Sequence, residues 1–416
     1  MIWKSWSNPS LIGYLRSTRT QIRLLMPAVL AIVVVASGIR FLYAIFSYVP
    51  MGGLWAKDFF GIWSFAKFAA INPAVTIYDN SKLLDFQMDL GAAPRDLLPY
   101  PYPPFFLFLI FPFGFLSYYW GYALWSVLTF CFYFISSFYR RWRLSEILLV
   151  IFAPATLLNL NFGQTGFLSA ALILGGFRFA GTRPALGGVL FGLASFKPQL
   201  GILIPIALIS ARLWRTLAAA VVTIAILVVA SGLAFGLSIW PTWLEKLFPH
   251  AYAAGGVADR LKPTVTTNLV VLGVDLAVAQ LVQISAAVVV AGVIWVFFRR
   301  GVTLLATAAL LVGTFLATPY AFVYDMPMLT NAALMFIRHK DQTSRCLTVP
   351  EAAVLLLSLL LPAIMMETWR PSTITSIPLF LLLGLIVREF FRSREISRNN
   401  ADRRGSFPHP GPVHKS

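Results

Sequence analysis

Apolar residues run along this chain in long blocks separated by short polar connectors, and most blocks have the lengths of membrane helices rather than of strands. The first block, 24–47, is long enough to cross a bilayer, since roughly 20 residues span the hydrocarbon. The second, 105–139, is too long for one crossing and is interrupted at Pro112 and Gly114. Either it crosses twice with a turn near Ser117, or 105–116 is re-entrant and 120–139 is the only full span. Two crossings would put Arg140, Arg141 and Arg143 outside, so the bias of Lys and Arg toward cytoplasmic connectors selects the re-entrant form. From there the alternation of basic connectors with polar turns predicts spans at 144–160, 165–180, 184–196, 200–210, 216–239, 276–298, 302–318, 321–337, 348–366 and 371–387. The sum is about twelve crossings with both termini inside. Several of the spans are short, which predicts that they stop below the outer surface and leave a cavity there.

This pattern divides the chain into a cytoplasmic segment 1–23, a membrane domain 24–387 and a polar, basic tail 388–416. The tail has no apolar periodicity and reads as disordered. Two stretches of the membrane domain, 48–104 and 240–275, are outer loops. Composition agrees with a polytopic all-α membrane protein. Of 416 residues 58% are hydrophobic and 12% charged, about half the charge of a soluble domain. The net charge of +17 gathers at connectors and ends, the distribution of loops beside an anionic leaflet rather than of a nucleic-acid-binding surface. The two cysteines, Cys131 and Cys346, give no disulfide framework. Block 24–47 is too long for a signal-peptide core and lacks a small-residue cleavage site, so it reads as a retained helix.

In so apolar a chain the first outer loop is the natural place for aqueous chemistry. It carries Lys57, Asp58, Lys67, Asp79, Lys82, Asp85, Asp89, Arg95 and Asp96. Around Asp58 the apolar positions Phe59, Ile62, Trp63, Phe65, Ala66 and Ala69 recur at helical spacing while Lys57, Ser64 and Lys67 fall elsewhere on the wheel, which predicts a helix lying in the membrane surface. Asp58 is then either a carboxylate stabilising the first turn or a chemical group. The topology gathers other unusual polar residues on the same outer face. They are Asn161 and Gln164 in one turn, Lys197 and Gln199 in the next, Arg260, Lys262 and Asn268 in the second loop, and Tyr324 and Asp325 in a late turn. Arg40 sits in the outer half of the first span, where a charge is costly enough to suggest function. Lys197 interrupts an apolar run on the face where cations are disfavoured; it either snorkels to headgroups or binds an anion such as a lipid phosphate. Asn161 and Gln164 either cap helix ends or contact a sugar. His250 has no partner at metal-ligand spacing, and the chain has neither a dinucleotide-binding glycine pattern nor a P-loop.

Taken in order, an Asp-Phe early in the first outer loop, Tyr100-Pro101-Tyr102-Pro103-Pro104, Asn161-Phe162-Gly163-Gln164, Lys197-Pro198-Gln199 and Pro319 to Tyr324-Asp325 resemble glycosyltransferase family 87. That is the family of polyprenol-phosphate-mannose-dependent α-1,2-mannosyltransferases and their relatives. The resemblance covers roughly 24–337. It implies a GT-C type fold, a polyprenyl-phosphate sugar donor, and a catalytic acid in the first outer loop, the position held here by Asp58. Tyr102, Asn161, Gln164, Lys197, Gln199 and Asp325 match other recurring positions, and the late motif lacks the histidine that many relatives carry.

The resulting expectation is a hexosyltransferase of the cell inner membrane, active on the extracytoplasmic side. It would move mannose or a related sugar from a polyprenyl phosphate to a glycan or glycolipid, without a cofactor and with no assigned metal. Asp58 would be the base of an inverting displacement. Lys197, Arg260, Lys262 and Arg40 would meet the donor phosphate, and Tyr102, Asn161, Gln164, Gln199, Tyr324 and Asp325 the substrates. The competing reading is a transporter or lipid-linked-sugar flippase. A flippase should carry polar residues through the full depth of its helices, whereas here they collect on one face.

Overall fold

The computed structural model describes residues 57–93, 97–138, 143–252, 261–367 and 374–405, together with Val35 and Gly38. All regular structure among them is helical. The expected first span, 24–47, falls almost wholly outside the described residues.

The first loop builds a compact subassembly. Helix α1, Lys57–Ile71, is followed by a 3-10 turn at Ala74–Tyr78 and by α2, Asn80–Asp89. α1 departs from the expected surface helix. Phe59, Phe60, Ile62, Phe65, Ala66 and Phe68 are all buried, and so is Ser64, one of the positions read as its polar side. Ser64 donates to the Gly61 carbonyl and accepts from the Gln87 amide of α2. A helix apolar or small on nearly every side belongs inside protein, not at an interface. Gln87 also exchanges two hydrogen bonds with the Leu98 backbone, at 2.9 and 2.8 Å, and so ties down the approach to the Tyr-Pro block. The Tyr78 hydroxyl then donates to the Tyr102 carbonyl at 2.8 Å.

The segment read as re-entrant is a short helix, α3, Phe106–Ile110, running into a 3-10 turn at Phe111–Phe115. Ten residues reach about 15 Å as an α-helix, half the hydrocarbon thickness. This element is too short to cross alone. Its end is held against α1 by the Trp63 indole, which donates to the Leu116 carbonyl at 2.9 Å.

Beyond α4, Tyr118–Ser137, the expected span at 144–160 is two helices, α5, Leu144–Phe152, and α6, Pro154–Phe162, bent by 41°. Pro154 lacks the N–H that would continue α5 and starts α6 instead. Next come α7, Gly166–Phe179; α8, Pro184–Ala194; α9, Ile204–Ser210; and α10, Trp214–Phe235. Gly188 and Gly192 of α8 face α10 so closely that a Cβ would lie 2.6 Å from the Thr216 carbonyl oxygen and 2.5 Å from the Thr223 Cβ. This small-xxx-small spacing brings two helix backbones together where lipid supplies no hydrophobic drive. α11, Ile239–Tyr252, and α12, Val265–Val271, occupy the second loop. The rest is α13, Leu276–Phe298; α14, Leu304–Ala317; α15, Pro327–Gln342; α16, Val349–Glu367; and α17, Ile377–Gly405. α17 continues well past 387, through much of the segment read as a disordered tail.

Among the described residues three helices are long and apolar enough to cross a membrane: α10, α13 and α16 (over Val349–Met366). The bent α5–α6 pair makes a fourth if it is one span. The expected twelve crossings are not reached by length and apolarity, and that topology stays an expectation. α10 and α13 expose Val222, Ile226, Val229, Leu233, Leu281, Ile284 and Val288, a surface suited to lipid rather than water. The short helices α7 and α14 are buried along their length and form the core.

Charges collect at one end of α15. Arg338 makes a two-pronged pair with Glu146 of α5 at 3.0 and 2.9 Å. Lys340 bridges Glu351 of α16 and Glu389 of α17 at 2.9 and 3.0 Å. The opposite end of α15, where the chain enters it through Asp325, holds most of the unusual polar residues.

Candidate active site

Asp58 lies in the first turn of α1 and is half-buried. α1 begins at Lys57, so this carboxylate stands inside the helix rather than ahead of it. One oxygen, Oδ2, accepts from the Gln164 amide at 3.0 Å. Gln164 reaches it from the tight turn between α6 and α7. Gly163 makes that turn with φ +67°, a left-handed conformation that costs glycine little. A side chain there would also press on Phe59, the neighbour of Asp58, at 2.6 Å. Across α4, the Tyr122 hydroxyl donates to the Leu160 carbonyl at 2.6 Å and fixes the last turn of α6.

The second half of the site is the turn entering α15. Phe322, Val323, Tyr324 and Asp325 form a 3-10 turn with Asp325 buried at 1% exposure. Asp325 Oδ1 receives Lys197 Nζ at 2.7 Å and Oδ2 receives the Phe322 amide at 3.2 Å. Lys197 is itself buried and lies 4.8 Å from the centre of the Tyr324 ring. Tyr324 stacks on Phe322 at 5.0 Å with 10° between the rings, and Phe322 meets Tyr320 edge-on at 5.1 Å. Lys262, also buried, sits 4.9 Å from the Tyr320 ring and 5.4 Å from the Phe322 ring. Two ammonium groups thus bracket one row of aromatic rings, a contact their charge favours.

Tyr102 joins the two halves. Its ring packs on Phe106 and Phe196. Burial pushes its hydroxyl well above the ordinary tyrosine range; the Thr165 hydroxyl beside it acts the other way, and the charges of Asp325 and Asp58 add to the rise. A phenol held neutral between two carboxylates is a hydrogen-bond donor at every physiological pH. Asp58 and Asp325 also lie within electrostatic range of Tyr324.

The structure therefore brings together Asp58, Gln164, Tyr102, Lys197, Tyr324, Asp325 and Lys262 out of the residues picked from sequence. The model of glycosyltransferase family 87 matches residues 100–319, more than half of the chain. The chain belongs to glycosyltransferase family 87. As a member it is a glycosyltransferase that takes a sugar donor and an acceptor, and its apolar helices are those of a membrane protein. The family match includes Tyr102, Gln164, Lys197, Gln199 and Lys262, and leaves Asp58 and Asp325 on either side. No curated protein and no solved structure matches this family 87 chain.

Asn161 and Gln199 are half-buried, Asn161 in the last turn of α6 and Gln199 in the 3-10 turn Pro198–Leu200. Arg40 and Arg260 lie outside the described residues. Among the described residues no three of His, Cys, Asp and Glu are grouped as a metal site requires. Asn159 was not singled out from sequence, yet its amide donates to the Tyr324 carbonyl at 2.6 Å.

Proposed function

We propose that this family 87 enzyme transfers a hexose, mannose or a close relative, from a polyprenyl-phosphate donor to a glycan or glycolipid on the extracytoplasmic face of the inner membrane. The observation carrying this reading is the division of labour between the two carboxylates. Asp325 is buried and bonded through both oxygens, whereas Asp58 is partly exposed and oriented by a neutral amide. An acceptor hydroxyl can approach the second but not the first.

Asp58 then acts as general base. It takes the proton of the acceptor hydroxyl as that oxygen attacks the anomeric carbon, and the bond from that carbon to the phosphate oxygen breaks. Bond making and breaking on opposite faces inverts the anomeric configuration, through a transition state resembling an oxocarbenium ion. The leaving group is a phosphate, so it requires charge stabilisation rather than a proton. Lys262 and Lys197, at the two ends of the aromatic row, are assigned to it, with Arg260 and Arg40 as further cations. An ammonium has three N–H donors, and Lys197 commits one to Asp325. Tyr102 and Tyr324 supply ring faces and donors for the sugar.

The test is single-turnover transfer by purified protein in lipid, with a panel of polyprenyl-phosphate sugars and donor binding measured separately. General-base catalysis is worth ~100- to 10,000-fold, so Asp58→Asn should lose about that much turnover while still binding donor. Turnover within a few-fold of the parent would remove Asp58 from the role of base. Failure of every polyprenyl-phosphate sugar to be consumed would remove the donor assignment.

A further inference from the structure

The α6–α7 turn is bonded to both halves of the site at once. On one side Gln164 donates to Asp58. On the other, the carbonyl of Tyr324 is caught between two residues that flank the turn, Asn159 near the end of α6 and Gly166 at the start of α7. The Asn159 amide, 1% exposed, donates to it at 2.6 Å. Gly166 lies so close that a Cβ there would overlap the Tyr324 carbonyl oxygen and the Asn159 amide nitrogen. Asn159 is itself locked, because its own carbonyl receives the Gly163 amide at 2.8 Å. Its side-chain Oδ1 is buried with no hydrogen-bond partner among the described residues. An amide kept at that cost has its donor committed to one acceptor.

Tyr324 is followed directly by Asp325, so fixing its carbonyl fixes the peptide that delivers the Lys197–Asp325 pair and the ring facing Lys197. We infer that Asn159, seated against Gly166, is a positioning residue that sets the Tyr324–Asp325 turn relative to Asp58. The α6–α7 turn is then a joint with two independent arms, Gln164 toward the base and Asn159 toward the donor-binding cations. This rests on the functional reading given above for what each arm carries.

The kinetic signatures of the arms differ. Asn159→Ala should raise the donor KM about tenfold, the value of a hydrogen bond near 1.4 kcal/mol, and leave the pH profile of kcat in place. Gly166→Ala, which displaces the same carbonyl from the other side, should give the same split. Gln164→Ala should move the pH profile, because it changes the environment of Asp58, and leave donor KM near the parent value. In an Asp325→Asn background Asn159→Ala should add little to the loss of donor binding, since both act through one turn. Asn159→Ser, small enough to admit a bridging water, should recover part of the binding and serves as the test where the alanine variant does not accumulate.

The assay is donor-dependence of transfer by the purified protein in lipid, beside the thermal midpoint of each variant. A lower midpoint with parental donor KM in Asn159→Ala or Asn159→Ser, or full additivity with Asp325→Asn, overturns the positioning role and leaves the functional reading standing. A parent that consumes no polyprenyl-phosphate sugar fails the functional reading instead, and the two failures are read from different samples.

Discussion

Lys197 and Asp325 are the most exacting test of the site, because the structure pairs them and the proposed mechanism gives Lys197 a chemical role as well. The pair is 2.7 Å apart, with side chains 6% and 1% exposed. Removing one member of a buried pair strands the other charge and costs about 3–5 kcal/mol. Asp325 would keep only the Phe322 amide, so Lys197→Met should fall in that range rather than behave as a silent surface change. Asp325→Asn also strands the Lys197 charge, but its amide oxygen can still accept from Lys197, so it should cost less than Asp325→Ala. Replacing both partners with apolar residues, Lys197→Met with Asp325→Leu, removes the stranded charge, and such replacements are neutral or stabilising in several proteins. The double variant should therefore recover most of the stability lost by Lys197→Met. Donor use should not recover, because the ammonium assigned to the phosphate is still missing. The measurement is a thermal or denaturant midpoint of all variants in one detergent, alongside donor KM. An unchanged midpoint in Lys197→Met refutes the buried pair. A double variant with parental donor KM refutes the phosphate role and leaves the pair purely structural.

Cysteines placed at Arg183 and Arg299 should be shielded from an impermeant thiol reagent in intact cells while one at Asp79 labels; labelling of Arg183 from outside would invert the topology. His339 lies beside Lys340, Arg345 and Glu389, and burial lowers its pKa below 6.5, with Glu389 opposing and the two cations assisting. Its unfolded form thus binds the proton more readily, so its contribution to stability is present above about pH 6.5 and is lost as pH falls through the lower folded value. The thermal midpoint should drop on acidification, and His339→Gln should flatten that slope; an equal slope in the variant would assign it to other groups. Gly192→Leu should separate α8 from α10 and lower the midpoint by several degrees, checked by a thermal scan, because its Cβ alone would already meet Thr223.

Helix positions were legible where local signals suffice. The span expected at 276–298 is α13 residue for residue, and its start is a capping aspartate: Asp275 accepts from the Ala277 and Val278 amides. Pro154 stands as a proline in an apolar run, but a membrane span needs length, so the span expected at 144–160 runs through it. α1 was legible as a helix and not as a buried one. Ser64 and Lys67 suggested a wet stripe, and nothing local says that Gln87 will cover Ser64. At α6 the motif pointed to Asn161, two residues past the asparagine that bonds Tyr324. Two residues rotate a helix by about 200°, so side chains at 159 and 161 point to nearly opposite sides. Which side meets the α15 turn is a tertiary fact, invisible in a motif.

In the proposed mechanism the two acids, Asp58 and Asp325, cannot exchange roles. A base must lose and regain a proton in every cycle at modest cost, and it must be reached by the acceptor. Asp325 fails the second condition: its carboxylate is bonded to Lys197 and a backbone amide, and its surface is closed. Asp58 accepts from the neutral amide of Gln164, which orients the carboxylate, and it keeps part of its surface exposed. In the proposed mechanism a fixed buried pair suits the donor side, where a phosphate would meet cations that do not move during transfer. The turn at Gly163 makes the arrangement rigid, since it carries the partner of Asp58 and the brace of Tyr324 within eight residues of chain, Asn159 to Gly166. A fold that held these two carboxylates on separate flexible loops would have to reorder both at each encounter, and effective positioning of acceptor against donor depends on avoiding that cost.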